Sequence, residues 1–290
     1  MIIEKHIKQI ENLLNKEKII KYEILQISFD VACVKFELLN KKKFIAKFNI
    51  KKNKSFNPIK SEAKNLIYLN NLFNFFPKLI NYNNKYLVIE YLTNDKDKPS
   101  KTNLDFLKSV IKIHSVSNNL FGFDFNSQMG ALEQKNTFEE SWVKFYLNNR
   151  LIPMFELANK KENMGKFINE KIYYIFKNLQ NFIPNDPKPS LLHGDLWEGN
   201  ILFQSNKFAG FIDPGSFFGH NEMEIAYLRW FNPSFIDSNF LEKYSVYIKL
   251  EKNYLDYELI YQLYYALCNV ALWDKSYVEE TKKILIGLKI

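Results

Sequence analysis

Apolar positions change their spacing along the chain, and the change near residue 93 predicts two parts. At the N-terminus, apolar residues between Ile3 and Leu14 recur at the spacing of one helix face. Three segments with strand-like patterning follow, over about 22–29, 31–39 and 43–50. The first part of the chain is therefore predicted to begin with a helix and an antiparallel set of strands.

The rest of the first part adds a helix and a strand. Asn57 and Pro58 form a helix start, because proline is favoured at the first helical position. Residues 86–92 are a continuous apolar and aromatic run that predicts a strand. The polar, proline-containing segment 94–99 interrupts the pattern, so we expect a hinge there.

The second part is predicted to be mainly helical. Apolar residues after Thr102 lie on one helix face, and Thr137 with Glu140 forms a capping box before a helix through Trp142. Further helical patterns run over about 162–182, 222–231, 238–250, 256–273 and 276–288. The sequence thus predicts an α+β, two-lobed architecture, with a β-rich N-terminal lobe over 1–92 and a helical C-terminal lobe over 93–290.

Candidate chemistry is concentrated in residues 192–222. Asp195 and Asn200 have the spacing of the catalytic-loop Asp and the magnesium-binding Asn of protein kinases. Two short apolar runs between residues 201 and 212, separated by a polar turn, predict a β-hairpin. A hairpin returns the chain to its start, so we expect Asn200 and Asp213 side by side as oxygen ligands of one Mg²⁺ ion.

Composition changes this picture little. Hydrophobic residues make up 47% of the 290 residues and charged residues 25%, which is ordinary for a globular protein. We find neither a long apolar run nor a signal-peptide pattern, so no membrane span or secretion is expected. Two cysteines, Cys33 and Cys268, cannot build a disulfide framework, and a reduced cytoplasmic protein is expected.

The net charge of +8 comes from the first 60 residues, which hold 14 lysines and six acidic residues. The chain lacks an arginine-rich tract or interleaved aromatic platform, so nucleic acid is not an expected partner. Arginine occurs only at Arg150 and Arg229, and each is either a specific contact or an ordinary helix-end residue.

A kinase-like architecture predicts further parts in the first lobe. Lys47, on a predicted strand, would hold the α- and β-phosphates, and Glu62, on the next helix, would pair with it. The strand end at Glu90, Tyr91 and Leu92 would offer backbone groups to the adenine.

One expected part is missing, because the first glycine of the chain is Gly122. Residues 28–33 must therefore cover the phosphates with side chains present, and we expect a looser nucleotide loop.

Together these motifs resemble the fructosamine-3-kinase and ketosamine-3-kinase family, within the group that includes aminoglycoside phosphotransferases and choline kinases. The likeness covers nearly the whole chain and is weakest over 1–60. It rests on His-Gly-Asp-Leu-Trp-x-Gly-Asn at 193–200, on Asp-Pro at 213–214 leading to Gly-His-x-Glu-x-Glu at 219–224, and on the segment 140–153 with its Trp and Arg-Leu-x-Pro.

The resemblance implies transfer of the ATP γ-phosphate to the 3-hydroxyl of a ketoamine sugar attached to lysine, which makes the adduct labile and serves deglycation. It implies Asp195 as the base and ATP with Mg²⁺ as cofactors. The candidate sugar contacts are Trp197, His220, Glu222 and Arg150. Trp197 could instead be a core aromatic, and His220 could merely brace its loop.

Other implications are less specific. The resemblance places Cys33 at a position implicated in redox control, and it marks Gly215 and Phe218 as departures from a common Ala and Tyr. Two alternatives stay open: a small-molecule kinase of the aminoglycoside or choline type, and a nucleotide-binding pseudokinase. The substrate is expected to be a small or protein-bound ketoamine, and the enzyme a monomer or weak dimer.

Overall fold

The computed structural model describes residues 3–51 and 56–288. Ten α-helices occur in these residues: α1 Glu4–Leu13, α2 Pro58–Asn70, α3 Leu104–Ser115, α4 Trp142–Tyr146, α5 Ile152–Lys161, α6 Gly165–Asn178, α7 Asn221–Trp230, α8 Phe240–Ser245, α9 Tyr254–Leu272 and α10 Ser276–Gly287. The same residues contain eleven strands: β1 Ile19–Ser28, β2 Val31–Leu38, β3 Lys43–Asn49, β4 Leu79–Tyr82, β5 Tyr86–Glu90, β6 Ser127–Met129, β7 Leu132–Gln134, β8 Ser190–Leu192, β9 Ile201–Gln204, β10 Lys207–Phe211 and β11 Phe217–Gly219.

Contacts between residues divide the chain into two compact units. Unit 1 comprises Met1–Asp97 and Ile201–Pro214, and unit 2 comprises Lys98–Asn200 and Gly215–Ile290. The predicted division into one lobe over 1–92 and another over 93–290 stays a prediction. The predicted α+β class is confirmed, since unit 1 is built on an antiparallel sheet and unit 2 is mainly helical.

Unit 1 is organised by a five-stranded antiparallel sheet with the order β1-β2-β3-β5-β4. Side chains alternate between the two faces of a strand. Phe44, Ala46 and Phe48 of β3 therefore share the face that packs into the core with Ile10 of α1. Lys47 takes the opposite face, where α2 lies.

Local sequence explains where the helices of the two units begin. Asn57 caps α2, because its side chain accepts a hydrogen bond from the Lys60 backbone N–H and Pro58 follows at the first helical position. In the same way Asn103 caps α3. The predicted capping box at Thr137 is wrong, because α4 begins later and Ser141 is its cap.

Unit 2 is built around α9, which is buried along most of its length and contacts α5, α7 and α10. A helix buried on nearly all sides carries apolar and aromatic residues around its whole circumference. Two small antiparallel pairs, β6 with β7 and β8 with β11, lie in the same unit. In the β8–β11 pair, β8 leads directly into the His193–Asp195 turn.

Several predicted elements differ from those observed. The predicted helix over 238–250 is only the six-residue α8, and the predicted helix over 162–182 is α6 followed by a 3₁₀ turn over Leu179–Asn181. The short strands β4, β6, β7, β8 and β11 were not predicted. Within residues 3–51 and 56–288, we find no helix with the length and apolarity needed to cross a membrane.

Candidate active site

In unit 1 the side chains of Lys47, Glu62 and Asp213 meet. Lys47 Nζ lies 2.7 Å from Glu62 Oε1 and also donates to a carboxylate oxygen of Asp213. Lys47 and Glu62 are buried, whereas the Asp213 side chain is 41% exposed. The predicted pairing of Lys47 with Glu62 is thus confirmed, and a partly exposed carboxylate joins the pair.

The charges of this cluster are strongly coupled. Burial opposes the charged form of Lys47, but the carboxylates of Asp213 and Glu62 outweigh it and raise the pKa of Lys47. Burial raises the pKa of Glu62 to about 7, against the opposing effect of Lys47. The cluster therefore keeps a fixed ammonium, and the Glu62 carboxyl binds a proton at a higher pH than an ordinary glutamate does.

The β9–β10 hairpin leads the chain to Asp213. Ile201 pairs with Phe211 at the open end of the hairpin, so the predicted hairpin is confirmed. The Phe211 backbone N–H donates to the Phe75 carbonyl at 2.9 Å, and the Phe211 ring packs against Phe75 and Phe76. Asp213 then adopts a left-handed backbone with φ of 57°, which aspartate tolerates better than most residues.

The residues predicted to face the adenine follow β5. Glu90 accepts a hydrogen bond from the Lys78 backbone N–H, so its side chain is engaged within the sheet edge. Lys35 Nζ lies 5.4 Å from the centroid of the Tyr91 ring, and Leu92 packs beside Gly210. Their assignment to nucleotide binding stays a prediction.

The glycine-free loop is a two-residue hairpin turn between β1 and β2. Phe29 and Asp30 both have positive φ, the conformation of a tight hairpin turn that usually selects glycine or asparagine. The Ile50 backbone N–H donates to the Asp30 carbonyl, and Lys51 pairs with the Asp30 carboxylate at 2.9 Å. The expected looseness of this loop stays a prediction, and these contacts restrain the turn.

Cys33 lies on β2 opposite Lys47 in the strand register. Burial raises the pKa of its thiol to about 12. Because the thiolate is the reactive form of cysteine, this environment disfavours the redox role that the resemblance suggested.

In unit 2 the turn carrying Asp195 is held by its backbone. The N–H groups of His193 and Gly194 donate to the two carboxylate oxygens of Glu224, at 2.9 and 2.7 Å. The Asp195 N–H donates to the His193 ring nitrogen Nδ1 at 3.2 Å. Three successive backbone donors are satisfied, which orders the turn before Asp195.

Glu224, to which the sequence argument assigned no role, holds the turn before Asp195. His114 Nε2 lies 2.9 Å from its carboxylate, and the other His114 ring nitrogen contacts the Tyr244 hydroxyl at 2.8 Å. Burial opposes ionisation of Glu224, but the hydrogen bonds from His114 and Gly194 outweigh it and lower its pKa. The sequence does place Glu224 in the Gly-His-x-Glu-x-Glu segment, which marks it as a candidate. The spacing within that segment does not show which loop Glu224 holds.

Asn200 and Trp197 follow Asp195 within the same unit. The Asn200 amide nitrogen donates to the Asp195 carbonyl at 2.8 Å, so the amide oxygen is the end that can bind a cation. The Trp197 ring is 38% exposed and packs on Phe231, with centroids 5.7 Å apart. A Cβ at Gly199 would lie 2.4 Å from that ring, which explains the glycine of the Trp-x-Gly-Asn motif.

His220 and Glu222, predicted to contact the sugar, are buried and engaged by protein groups. His220 Nδ1 lies 2.7 Å from the Tyr261 hydroxyl. Glu222 accepts hydrogen bonds from the Tyr257 hydroxyl and from the Glu251 backbone N–H. Burial lowers the pKa of His220 to about 3, so the ring is neutral, and burial also raises the pKa of Glu222. These contacts favour the alternative that His220 braces its loop.

Arg150 is fully buried in unit 2. Its guanidinium donates to the carbonyls of Lys135 and Asn149 and to the side-chain oxygen of Asn136. These contacts give it a place in the interior, and its predicted contact with the substrate stays a prediction.

Within each unit, some of the predicted residues lie together. Unit 1 brings together Lys47, Glu62 and Asp213, and unit 2 places Asp195, Trp197 and Asn200 on one turn. The expectation that Asn200 and Asp213 share one Mg²⁺ ion stays a prediction.

Comparison with known proteins gives consistent results. The family model described as fructosamine kinase matches residues 6–289. An Enterococcus faecium protein named as a probable ketoamine kinase is 33% identical over 202 residues, 69% of this chain and 70% of that protein. The chloroplastic protein-ribulosamine 3-kinase of Arabidopsis thaliana is 27% identical over 209 residues, 69% of this chain and 60% of that protein.

Solved structures agree on the fold. The structure of a Thermobifida fusca protein assigned as a fructosamine-3-kinase covers 98% of both chains with a TM-score of 0.86 and 19% identity. An aminoglycoside phosphotransferase in complex with gentamicin covers 98% of this chain and 95% of that chain, with a TM-score of 0.66 and 16% identity. The predicted kinase-like fold is therefore confirmed.

Proposed function

The chain belongs to the fructosamine kinase family, and from that premise we propose that it transfers the γ-phosphate of ATP to the 3-hydroxyl of ketosamines, the sugar adducts of lysine. It is a phosphotransferase. The observation that carries the proposal is the combination of the family match with the Lys47–Glu62–Asp213 cluster and the ordered turn before Asp195. The names of its relatives, probable ketoamine kinase and protein-ribulosamine 3-kinase, support the substrate class.

Unit 1 supplies the cationic group for the phosphates. Lys47 is held by two carboxylates that raise its pKa, so it carries its charge throughout the physiological pH range. Phosphoryl transfer depends mainly on positioning and on neutralising negative charge. In this proposal Glu62 fixes the direction of the Lys47 side chain, and Lys47 neutralises phosphate charge.

Unit 2 supplies the base. Asp195 accepts the proton of the sugar hydroxyl, on a turn whose backbone is fixed by Glu224. An amide oxygen and a carboxylate suit Mg²⁺, and in this proposal the Asn200 amide oxygen and the partly exposed Asp213 carboxylate are its ligands. These two residues would hold Mg²⁺, which when bound neutralises phosphate charge.

Among the candidate sugar contacts, Trp197 has the most suitable surroundings. Its ring is partly exposed, and an aromatic face suits the C–H surface of a sugar. His220, Glu222 and Arg150 are buried, so we propose that they act on the sugar site through the segments they hold.

The test is ADP release with ribulose-, erythrulose- and fructose-lysine, with choline and an aminoglycoside as rival acceptors. We expect turnover with at least one ketosamine and none with the rivals. Release of free lysine from the phosphorylated product would support a deglycating role. Activity confined to choline or the aminoglycoside would contradict the proposed substrate class, and absence of any turnover would favour a pseudokinase.

Asp195→Asn tests the base. We expect kcat to fall roughly 10²- to 10⁴-fold, the usual contribution of a general base, while Mg²⁺-dependent ATP binding by thermal shift persists. Asp186→Asn, at an exposed position before β8, is the matched control and should leave kcat unchanged. A near wild-type rate in Asp195→Asn would show that another group accepts the proton.

A further inference from the structure

Arg150 is a buried cation in unusual surroundings. Its side chain is 0% exposed, and within residues 3–51 and 56–288 no acidic side chain forms an ion pair with it. A buried charge without a counter-charge is costly. Its surroundings must therefore be organised around the guanidinium.

Those surroundings are neutral dipoles and aromatic faces. One terminal nitrogen of Arg150, Nη1, donates to the carbonyls of Lys135 at 2.6 Å and Asn149 at 2.9 Å, and the other, Nη2, donates to Asn136 Oδ1 at 2.7 Å. The guanidinium carbon lies 3.9 Å from the Phe217 ring centroid and 4.7 Å from that of Phe145. A planar fork can make all these contacts at once, whereas a lysine ammonium cannot.

The first route from Arg150 to the Asp195 turn runs through β11. Phe217, whose ring covers the guanidinium, is the first residue of β11 and pairs with Leu192 at the end of β8. The residue after Leu192 is His193, the start of the turn. The cation thus holds the strand that flanks the turn.

The second route runs through the β6–β7 hairpin. Asn136, which accepts from Arg150, donates to the Ser127 hydroxyl and the Phe125 carbonyl. Two residues before Asn136, the Gln134 side-chain nitrogen lies 2.8 Å from the Gln128 carbonyl and 3.4 Å from the Gly215 carbonyl. Arg150 therefore fixes the hairpin end that carries this amide.

Gly215 completes the second route. Its backbone N–H donates to the His193 carbonyl at 2.9 Å. A Cβ at Gly215 would lie 1.9 Å from the Gln128 carbonyl oxygen, and a Cβ at Gly194 would lie 2.0 Å from the Gly215 carbonyl oxygen. The hairpin, Gly215 and the turn are stacked backbone to backbone, so a displacement of one moves the next.

We propose that Arg150 is a positioning residue for the reaction, which through β11 and through the β6–β7 hairpin fixes the His193–Gly194 turn that presents Asp195. The local helix agrees with this role, because Arg150 lies in a π-helical turn over Leu147–Leu151, a geometry common at functional sites. The inference rests on the proposed role of Asp195.

Arg150→Lys tests the proposal, with Arg229→Lys as the matched control. Arg229 is the other arginine of the chain and pairs with Glu258 away from both routes. In folded Arg150→Lys we expect kcat to fall about 10- to 100-fold, as misplaced catalytic groups do, with the KM for ATP within about twofold of wild type. Arg229→Lys should change neither constant.

Hydrogen exchange gives a readout that does not depend on activity. In Arg150→Lys the amides of His193 and Gly194, followed in peptides spanning 191–197, should exchange about tenfold faster, with α10 unchanged. If wild type proves inactive on ketosamines, the proposed function fails while this measurement still judges the positioning. Unchanged exchange at 191–197, or an equal rise in every peptide, would overturn the proposal.

A second variant covers the case in which Arg150→Lys does not fold. Gln134→Leu removes the amide between Gln128 and Gly215, leaves Arg150 in place and interrupts only the hairpin route. Because the β11 route stays intact, we expect a smaller fall in kcat and a smaller rise in exchange at 191–197 than in Arg150→Lys. Where both variants fold, the fall in kcat of the double variant should be less than the product of the two single effects, because both substitutions interrupt the hairpin route. Full multiplicativity in kcat would contradict a shared route.

Discussion

The two units hold their chemical groups by different means. In unit 1, Lys47 is positioned by ion pairs between side chains, with the partly exposed Asp213 as one partner. In unit 2, the turn before Asp195 is positioned through backbone N–H groups that donate to the buried Glu224 carboxylate, and through glycines packed on one another. One arrangement depends on charge and the other on backbone packing.

Because of this difference, substitutions in unit 1 should mainly change activity, and substitutions in the turn of unit 2 should mainly change stability. Lys47 keeps the Asp213 carboxylate when Glu62 loses its charge, so no buried charge is left unpaired and the loss should affect phosphate binding more than folding. A backbone turn without space for a Cβ should lose stability with any added atom. The following predictions test that contrast, starting with the largest expected effect.

Gly194→Ala should cause the largest loss of stability. Gly194 has φ of +90°, and an added Cβ would lie 2.0 Å from the Gly215 carbonyl oxygen. We expect the free energy of unfolding to fall by about 4 kcal/mol or more, measured by urea denaturation. Gly165→Ala is the control, because Gly165 has φ of +75° but an added Cβ would meet no other part of the protein within 4 Å. This substitution should cost only about 1 kcal/mol. Equal losses of stability in the two variants would show that the positive φ alone, and not the contact with Gly215, causes the effect.

His220→Asn should change how stability depends on pH. The pKa of His220 is lowered by burial to about 3, so below its ordinary value of 6.5 the unfolded chain binds the proton and the folded chain does not. Stability is therefore complete above pH 6.5 and falls as the pH drops, by about 2 kcal/mol between pH 6.5 and 5 for this group. The wild-type curve should be steeper than that of His220→Asn by this amount. Parallel curves would show that His220 titrates normally.

Glu62→Gln should weaken ATP binding with little effect on folding. The neutral amide holds Lys47 less firmly, so we expect the KM for ATP to rise about tenfold, or roughly 1.4 kcal/mol. Because burial raises the pKa of Glu62 to about 7, its contribution to stability is present below pH 4.5 and is lost as the pH rises through 7. The melting temperature of the variant at pH 8 should accordingly not fall below that of wild type.

The control for Glu62→Gln is Glu280→Gln, which removes a surface partner of Lys283. It should leave both the KM for ATP and the melting temperature unchanged, since surface ion pairs contribute little. If Glu62→Gln instead lowered the melting temperature by as much as Gly194→Ala does, the two units would not differ in how their substitutions affect stability.

The features predicted best from the sequence are those that depend on the spacing of residues along the chain. The pairing of Lys47 with Glu62 was expected from the order of parts in a kinase-like lobe, a lysine on a strand and a glutamate on the next helix. The β9–β10 hairpin followed from two apolar runs and a polar turn. The Asn57 cap followed from the proline after it. Each of these rests on residues that are close in sequence or joined by one connection.

What could not be predicted depends on contacts between distant segments. Strands of three residues such as β8 and β11 are too short to show a period. The bond from Gly194 to Glu224 spans 30 residues, and that from His114 to Glu224 spans 110, so no local pattern shows either. The predicted cap at Thr137 failed because Ser141, closer to Trp142, offered the same chemistry.

The discontinuity of unit 1 has a consequence for synthesis of the protein. Its first segment ends at Asp97, but the β9–β10 hairpin that packs on Phe75 is encoded at residues 201–214. A nascent chain emerging from the ribosome therefore cannot complete unit 1 until residue 214 of 290 has been made. Until then Phe75 and Phe76 lack their Phe211 neighbour, and the growing polypeptide exposes an aromatic surface that chaperones would recognise.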